Sequence, residues 1–132
     1  MSEERIVGET LATLKKHGYG ISIDDFGTGY SCLSYIQSIR PSEIKIDKEF
    51  VSTILTADYS RNIVSFILGL AKSIDIEVVA EGVETTEQLN TLREMGNMKI
   101  QGYLFAKPLP FEEFQKLKNY YKNILNYNSL NN

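Results

Sequence analysis

Segments with the pattern of a β-strand alternate with segments with the pattern of a helix along this chain, and this alternation constrains the fold more than any other feature. The strand-like segments are short alternations of apolar and polar residues at 21–24, 43–47, 76–81 and 99–104. Helical periodicity covers about 2–16, 35–37, 48–55, 61–73, 85–95 and 111–125. Because short connections join each strand to the next helix, the pattern predicts an α/β fold built from parallel β/α units.

Each strand carries one polar residue on the side opposite its apolar residues. In the first strand Ile21 and Ile23 share one side, and Asp24 leaves the strand on the other. Strands of a parallel sheet are normally apolar on both faces, so a row of polar residues on one face needs an explanation. We expect these residues to converge on one polar site, with a single buried salt-bridge network as the alternative. They are Asp24, Lys45, Glu81 and Gln101.

Two adjacent carboxylates close the first strand, and a stretch with two glycines follows them. The pattern ends the strand at Asp24 and places Asp25 on a loop. Gly27 and Gly29 permit backbone angles that other residues resist, so the loop can bring its amides close to a ligand. An Asx-type turn that caps the next helix is an equally good interpretation of these residues.

The position of the polar residues, in or just after the strands, is typical of β/α barrels, which build active sites at strand ends and the loops that follow. An open doubly wound sheet also binds ligands there, but the sequence contains no Gly-rich phosphate loop of dinucleotide or P-loop form. Four β/α units are too few to close a barrel of eight.

Length and composition narrow the classes of function. A chain of 132 residues has the size of one domain or part of one, here residues 1–125 followed by a frayed tail at 126–132. A net charge of -3 gives no basic surface for a DNA or RNA polymer. Cys32 is the lone cysteine, which fits a reducing cytoplasm, and it has little support as a nucleophile because the single histidine, His17, precedes the first strand. No apolar run approaches the roughly 20 residues of a membrane span, so we expect this segment to be cytoplasmic, although a parent protein could be anchored in a membrane.

Four ordered motifs resemble those of the EAL domain, the cyclic-di-GMP phosphodiesterase family of bacteria. They are DDFGTGYS at 24–31, KID at 45–47, EGVET at 81–85 and QGY at 101–103 with Lys107 and Pro108. The matches cover about residues 20–110 and are similar to the C-terminal half of the domain. Cys32 replaces a serine that is common in the family.

The resemblance implies the C-terminal half, about four β/α units, of a TIM-type (β/α)8 barrel. It further implies that the domain binds two divalent cations, Mg2+ or Mn2+, and hydrolyses cyclic di-GMP to the linear dinucleotide pGpG. Asp24, Asp25 and Glu81 would be metal ligands, and Lys45, Glu81 and Asp25 would be the catalytic residues. Hard cations prefer such oxygen ligands, and paired cations offset charge at phosphorus.

Other residues of the motifs are assigned to substrate binding and support by the same resemblance. Lys45, Gln101 and Tyr103 would contact the substrate. The residues that would support the acidic loop are Gly27, Thr28, Gly29, Tyr30, Ser31 and Glu84.

The Glu-Ala-Leu motif that names the family does not occur in the sequence, nor do the early Asn and Glu that complete its first metal site. The resemblance therefore implies half of a coordination shell, two open strand edges and little activity for the chain alone. The partner would be the missing N-terminal half of the domain or further copies of the chain. A noncatalytic cyclic-di-GMP-binding or regulatory half-domain is the alternative function.

Overall fold

The computed structural model describes residues 3–26, 36 and 39–130. A helix follows each of the second, third and fourth strands, as the sequence predicts, whereas most residues between the first and second strands lie outside the described part of the chain. In chain order they are α1 (Glu3–Lys16), β1 (Ser22–Phe26), β2 (Glu43–Ile46), α2 (Lys48–Ser52), α3 (Asp58–Ile74), β3 (Glu77–Ala80), α4 (Thr86–Met95), β4 (Lys99–Ile100) and α5 (Phe111–Leu130).

The strands form one parallel sheet in the order β1-β2-β3-β4. β2 and β3 pair without interruption from Glu43 with Glu77 to Ile46 with Ala80. At the sheet edge, β4 contributes only two residues, Lys99 and Ile100, which pair with Val79 and Ala80. Because all strands run the same way, the residues that follow them gather at one end of the sheet.

The hydrophobic core combines alternate residues of β2 and β3 with one face of each of the following helices. A fully buried valine, leucine or isoleucine side chain stabilises the fold by roughly 1.5–3 kcal/mol relative to an exposed one. The largest fully buried side chains are Ile44, Ile46, Val51, Ile54, Val64, Ile67, Val83 and Leu92.

Side chains accept hydrogen bonds from free backbone N–H groups in the first turns of two helices. These caps fix where the chain leaves the sheet. Asp47 accepts a hydrogen bond from the Glu49 N–H at 2.7 Å and so begins α2. Thr85 and Gln88 form a reciprocal capping box at the start of α4. Asp47 and Thr85 both follow strands, so each cap also sets a loop at the polar end of the sheet.

The first strand is longer than the sequence predicts. It continues through Asp24 and Asp25 to Phe26, so the placement of Asp25 on a loop after the strand is wrong. Phe26 is buried in the core, and this burial holds the end of the strand against the sheet. The fourth strand, by contrast, ends at Ile100 instead of Leu104, because the chain turns where the Phe105 N–H donates to the Gly102 carbonyl.

The last helix also departs from its predicted end. The sequence predicts an end near Leu125 and a frayed tail at 126–132, whereas α5 continues to Leu130. The sequence offers a reason, since Tyr127 and Leu130 extend the helical spacing from Ile124 and neither Gly nor Pro interrupts it.

Two predicted features lie wholly or largely outside the described residues: the loop at 27–31, and the short helix at 35–37, of which only Ile36 is described. In the described part of the chain, no helix combines the length and apolar character needed to cross a bilayer.

Candidate functional site

A Lys–Glu ion pair joins the ends of the two central strands. Lys45 Nζ lies 3.1 Å from Glu81 Oε1, and the two side chains are 26% and 21% exposed. The Glu81 N–H donates to the Ile46 carbonyl at 3.1 Å, so the backbone after β3 remains paired to β2. The hydrogen bond that the Lys45 ammonium donates to Glu81 raises the pKa of that ammonium, and the negative charges of Glu81, Asp24 and Glu43 act in the same direction. Lys45 is therefore held as a cation among acids.

A β-bulge places both aspartates of the first strand near this ion pair. Ile23 pairs with Ile44 and Phe26 pairs with Ile46, so β1 has one residue more than β2 over the same length. Asp25 takes up the irregularity with a φ of 54°, and its N–H donates to Asp24 Oδ1 at 2.8 Å. Strict alternation from Ile23 would turn Asp25 toward the core and Phe26 away from it. The bulge lets Phe26 enter the core while both carboxylates stay exposed.

The acids at the strand ends crowd one another. A side-chain hydrogen bond with Asp47 raises the pKa of the Asp25 carboxyl, and the charge of Asp24, partial desolvation and the charge of Glu81 raise it further. Asp24, Asp25, Lys45 and Glu81 thus belong to one electrostatic cluster.

Asp47 also belongs to this cluster, although the sequence does not predict it as a site residue. It follows β2 directly and is half-buried, with one carboxylate oxygen engaged by the Glu49 N–H. Its position is equivalent to that of Glu81 after β3, and that equivalence is a signal the sequence contains.

Gln101 and Tyr103 follow β4 at the edge of the sheet. Ile100 pairs with Ala80, so Gln101 is level with Glu81, and its N–H donates to the Ala80 carbonyl at 2.9 Å. Tyr103 is 57% exposed, and Lys107 Nζ lies 5.8 Å from the centre of its ring. The two side chains are therefore available at the same end of the sheet as the acids.

The predicted support residues are only partly visible. Gly27, Thr28, Gly29, Tyr30 and Ser31 lie outside the described residues. Glu84 is exposed in the loop after β3, and its N–H donates to Gln88 Oε1 at 2.9 Å. The loop that carries Glu84 is thus fixed by the cap of α4.

The donor set of the cluster consists of carboxylates with one ammonium group, which suits hard cations and phosphate oxygens. Among the residues that the structure describes, no three His, Cys, Asp or Glu side chains are gathered closely enough to hold a metal ion.

Comparison with known proteins gives consistent results for sequence and structure. The EAL domain profile matches residues 1–108. The chain is similar to the probable cyclic di-GMP phosphodiesterase PdeD of Escherichia coli (strain K12), with 42% identity over 103 residues, or 78% of this chain and 19% of that protein. It is also similar to the PaMucR phosphodiesterase in complex with c-di-GMP, with a TM-score of 0.79 and 39% identity over 86% of this chain and 46% of that one.

A third similar structure is Klebsiella pneumoniae BlrP1 in a complex with manganese and cy-diGMP, with a TM-score of 0.71 and 39% identity. This chain is covered to 76% and that chain to 26%. The chain therefore spans less than half the length of each of these proteins. EAL domain structures are TIM-barrel-like, and the predicted fold class, parallel β/α units from part of such a barrel, is confirmed.

Proposed function

Because the chain belongs to the EAL domain family, we propose that it supplies the C-terminal half of a metal-dependent phosphodiesterase that hydrolyses cyclic di-GMP to pGpG. The observation that carries this proposal is the cluster of Asp24, Asp25, Lys45 and Glu81 at one end of three adjacent parallel strands. Similarity to PdeD and to a c-di-GMP complex supports the substrate.

Two divalent cations, Mg2+ or Mn2+, fit the donor chemistry. Neighbouring acids raise the pKa of the Asp25 carboxyl, and such crowding is relieved when a cation binds. Asp24, Asp25 and Glu81 are the side chains that would hold the ions. When bound, the cations would make a water molecule more acidic and offset the charge that builds up on the phosphate.

Lys45 and Glu81 have complementary roles in this proposal. The Lys45 ammonium, which is protonated at neutral pH, orients a phosphate oxygen or the attacking water. Glu81 Oε1 accepts the proton that the attacking water loses. Their present distance of 3.1 Å shows that both groups reach the same small volume.

Gln101 and Tyr103 bind the substrate beyond the reacting phosphate in this proposal. An exposed aromatic ring suits stacking against a guanine base, and an amide suits hydrogen bonding to it or to a bound water. Asp25 is a catalytic residue because, with Asp24 and Glu81, it would hold the cations. Glu84 and the loop of Gly27–Ser31 support the acids.

The isolated chain is inactive or nearly so in this proposal, because the family ligands from the earlier strands are absent from its sequence. Its partner is the N-terminal half of an EAL domain or a second copy, and we place the reaction in the cytoplasm. Exposed apolar residues on both terminal helices support the need for a partner. They are Ile6, Val7 and Leu14 on α1, and Phe111 and Phe114 on α5.

The experiment compares this chain with a chimera in which the preceding part of the PdeD EAL domain is fused to its start. Each protein is incubated with cyclic di-GMP and Mg2+ or Mn2+, and the nucleotides are separated by chromatography. The chimera should form pGpG, and the isolated chain should not. EDTA should abolish the formation of pGpG by the chimera. Binding of cyclic di-GMP by the chimera without product would favour the noncatalytic half-domain and reject the hydrolase.

A further inference from the structure

The loop after β3, residues 81–85, lies between the segments that follow β2 and β4 and contacts both closely. On the β4 side, the Val83 N–H donates to the Gln101 carbonyl at 3.1 Å, and the Leu104 N–H donates to the Val83 carbonyl at 3.0 Å. Val83 is fully buried between these bonds. Backbone pairing therefore continues past the last regular residues of the sheet.

Gly102 makes this approach possible. A Cβ atom at this position would overlap the backbone nitrogen, carbon and oxygen of Val83. Because the obstacle is backbone, no change of side-chain rotamer relieves it. Any residue other than glycine must push the two loops apart.

Gly82 makes the matching approach on the β2 side. Its φ is 74°, and a Cβ there would lie 2.6 Å from Lys48 Cβ, directly after Asp47. Two glycines thus let the segments after β2, β3 and β4 lie close together. Each glycine directly follows a residue of the candidate site, Glu81 or Gln101.

Glu81 lies in the middle of this arrangement. Its own N–H donates to the Ile46 carbonyl. Ala80, directly before it, and Val83, two residues after it, are both hydrogen-bonded to the backbone of Gln101. The backbone around Glu81 is therefore fixed from both neighbouring strands, and its carboxylate reaches Lys45 at 3.1 Å.

We propose that Gly102 is a positioning residue: by letting the backbone after β4 lie against Val83, it fixes Glu81 within ion-pairing distance of Lys45 and level with Gln101. The importance of this geometry for hydrolysis rests on the proposed function, but the geometry itself does not.

The test uses three single substitutions in the complete 132-residue chain and observes the ion pair by NMR, through the correlation between the Lys45 ammonium nitrogen and the Glu81 carboxylate carbon. Gly102→Ala should abolish this correlation. Gly69→Ala is the matched control, because a Cβ at that position in α3 meets no atom within 4 Å, and it should leave the correlation unchanged.

Val83→Ala separates positioning from general stability. It removes part of a fully buried side chain and lowers the melting temperature, but it keeps the backbone bonds and should keep the correlation. A folded Gly102→Ala chain that retains the ion pair would overturn the proposal, and so would a Val83→Ala chain that loses it while folded.

A measurement on the wild-type chain decides the matter if Gly102→Ala does not fold. In increasing urea, hydrogen exchange at the Val83 and Leu104 amides and loss of the Lys45–Glu81 correlation should begin together. Persistence of the correlation after these amides exchange freely would overturn the proposal.

In the PdeD chimera, Gly102→Ala should lower kcat at least tenfold. A chimera that never hydrolyses cyclic di-GMP would reject the proposed function, while the NMR result would still decide the role of Gly102.

Discussion

The centre of the sheet and its two flanks differ in how completely this chain buries their apolar side chains. β2 and β3 pair without interruption, and Ile46, Val64 and Ile67 between the sheet and its helices are fully buried. On the flanks, Val7 of α1 is 48% exposed and Phe114 of α5 is 52% exposed. The chain therefore buries the apolar residues of its centre, whereas the helices on its flanks expose apolar side chains of the kind that mark interaction surfaces.

The same division runs through the candidate site. The Lys45–Glu81 pair belongs to the complete centre, but Asp24 and Asp25 lie on β1, a strand at the edge of the sheet. Stability and chemistry are thus partly separated: the centre holds the fold, and an edge strand supplies half of the acids. Substitutions at the two places should have different consequences.

The largest effect is expected for Asp24→Asn in the PdeD chimera. Loss of this exposed carboxylate should lower hydrolysis of cyclic di-GMP by orders of magnitude, because it removes a charge from the proposed cation site and no volume from the core. The free energy of unfolding should change by less than about 0.5 kcal/mol. Glu94→Gln, on an exposed position of α4, is the control and should alter neither quantity. Unchanged turnover at saturating metal would refute the role of Asp24.

A pair of large-to-small substitutions measures the contrast between centre and flank directly. Ile46→Ala should cost about 2–5 kcal/mol of unfolding free energy, because it leaves a cavity at a fully buried position. Phe114→Ala in the dilute isolated chain should cost less than about 0.5 kcal/mol, because its ring remains largely in water. Urea unfolding gives both values. Similar losses at the two sites would show that α5 is packed as well as the centre.

The smallest effect is expected at the exposed ion pair between Lys99 and Glu77, whose charged groups lie 2.5 Å apart with side chains about three-fifths exposed. The hydrogen bond that the Lys99 ammonium donates to Glu77 raises the pKa of that ammonium above its ordinary value of 10.5. The pair therefore stabilises the fold below pH 10.5 and loses this contribution as the pH rises through the raised pKa. Lys99→Met should reduce the alkaline loss of stability slightly in urea titrations, and a steeper loss than in the wild type would contradict the assignment.

The sequence predicts the centre of the molecule well because its signals are local and redundant. Apolar alternation in β2 and β3, one long apolar helix and the capping residues Thr85 and Gln88 all indicate the same parallel arrangement. The convergence of Asp24, Lys45 and Glu81 follows from that arrangement, since parallel strands end at the same side of a sheet.

The bulge in β1 escapes such reasoning for a physical reason. A strict alternation of side chains assumes that each residue of β1 pairs with one residue of β2. The extra residue at Asp25 shifts the register by one, so that Phe26 can enter the core. Only the pairing of Phe26 with Ile46 reveals it. The place of Asp47 in the site is missed similarly, because one oxygen has an evident structural role as a helix cap and the contact with Asp25 is tertiary.

The central claim is that the flanks of this chain need a partner, and the mass of the isolated protein tests it most directly. Light scattering coupled to size exclusion at micromolar concentration should give a dimer or a larger assembly, because two edge strands and the apolar faces of α1 and α5 favour association. Phe114→Ala should shift the distribution toward monomer. A stable, well-folded species with the mass of one chain would contradict the account and show that the chain covers its own flanks.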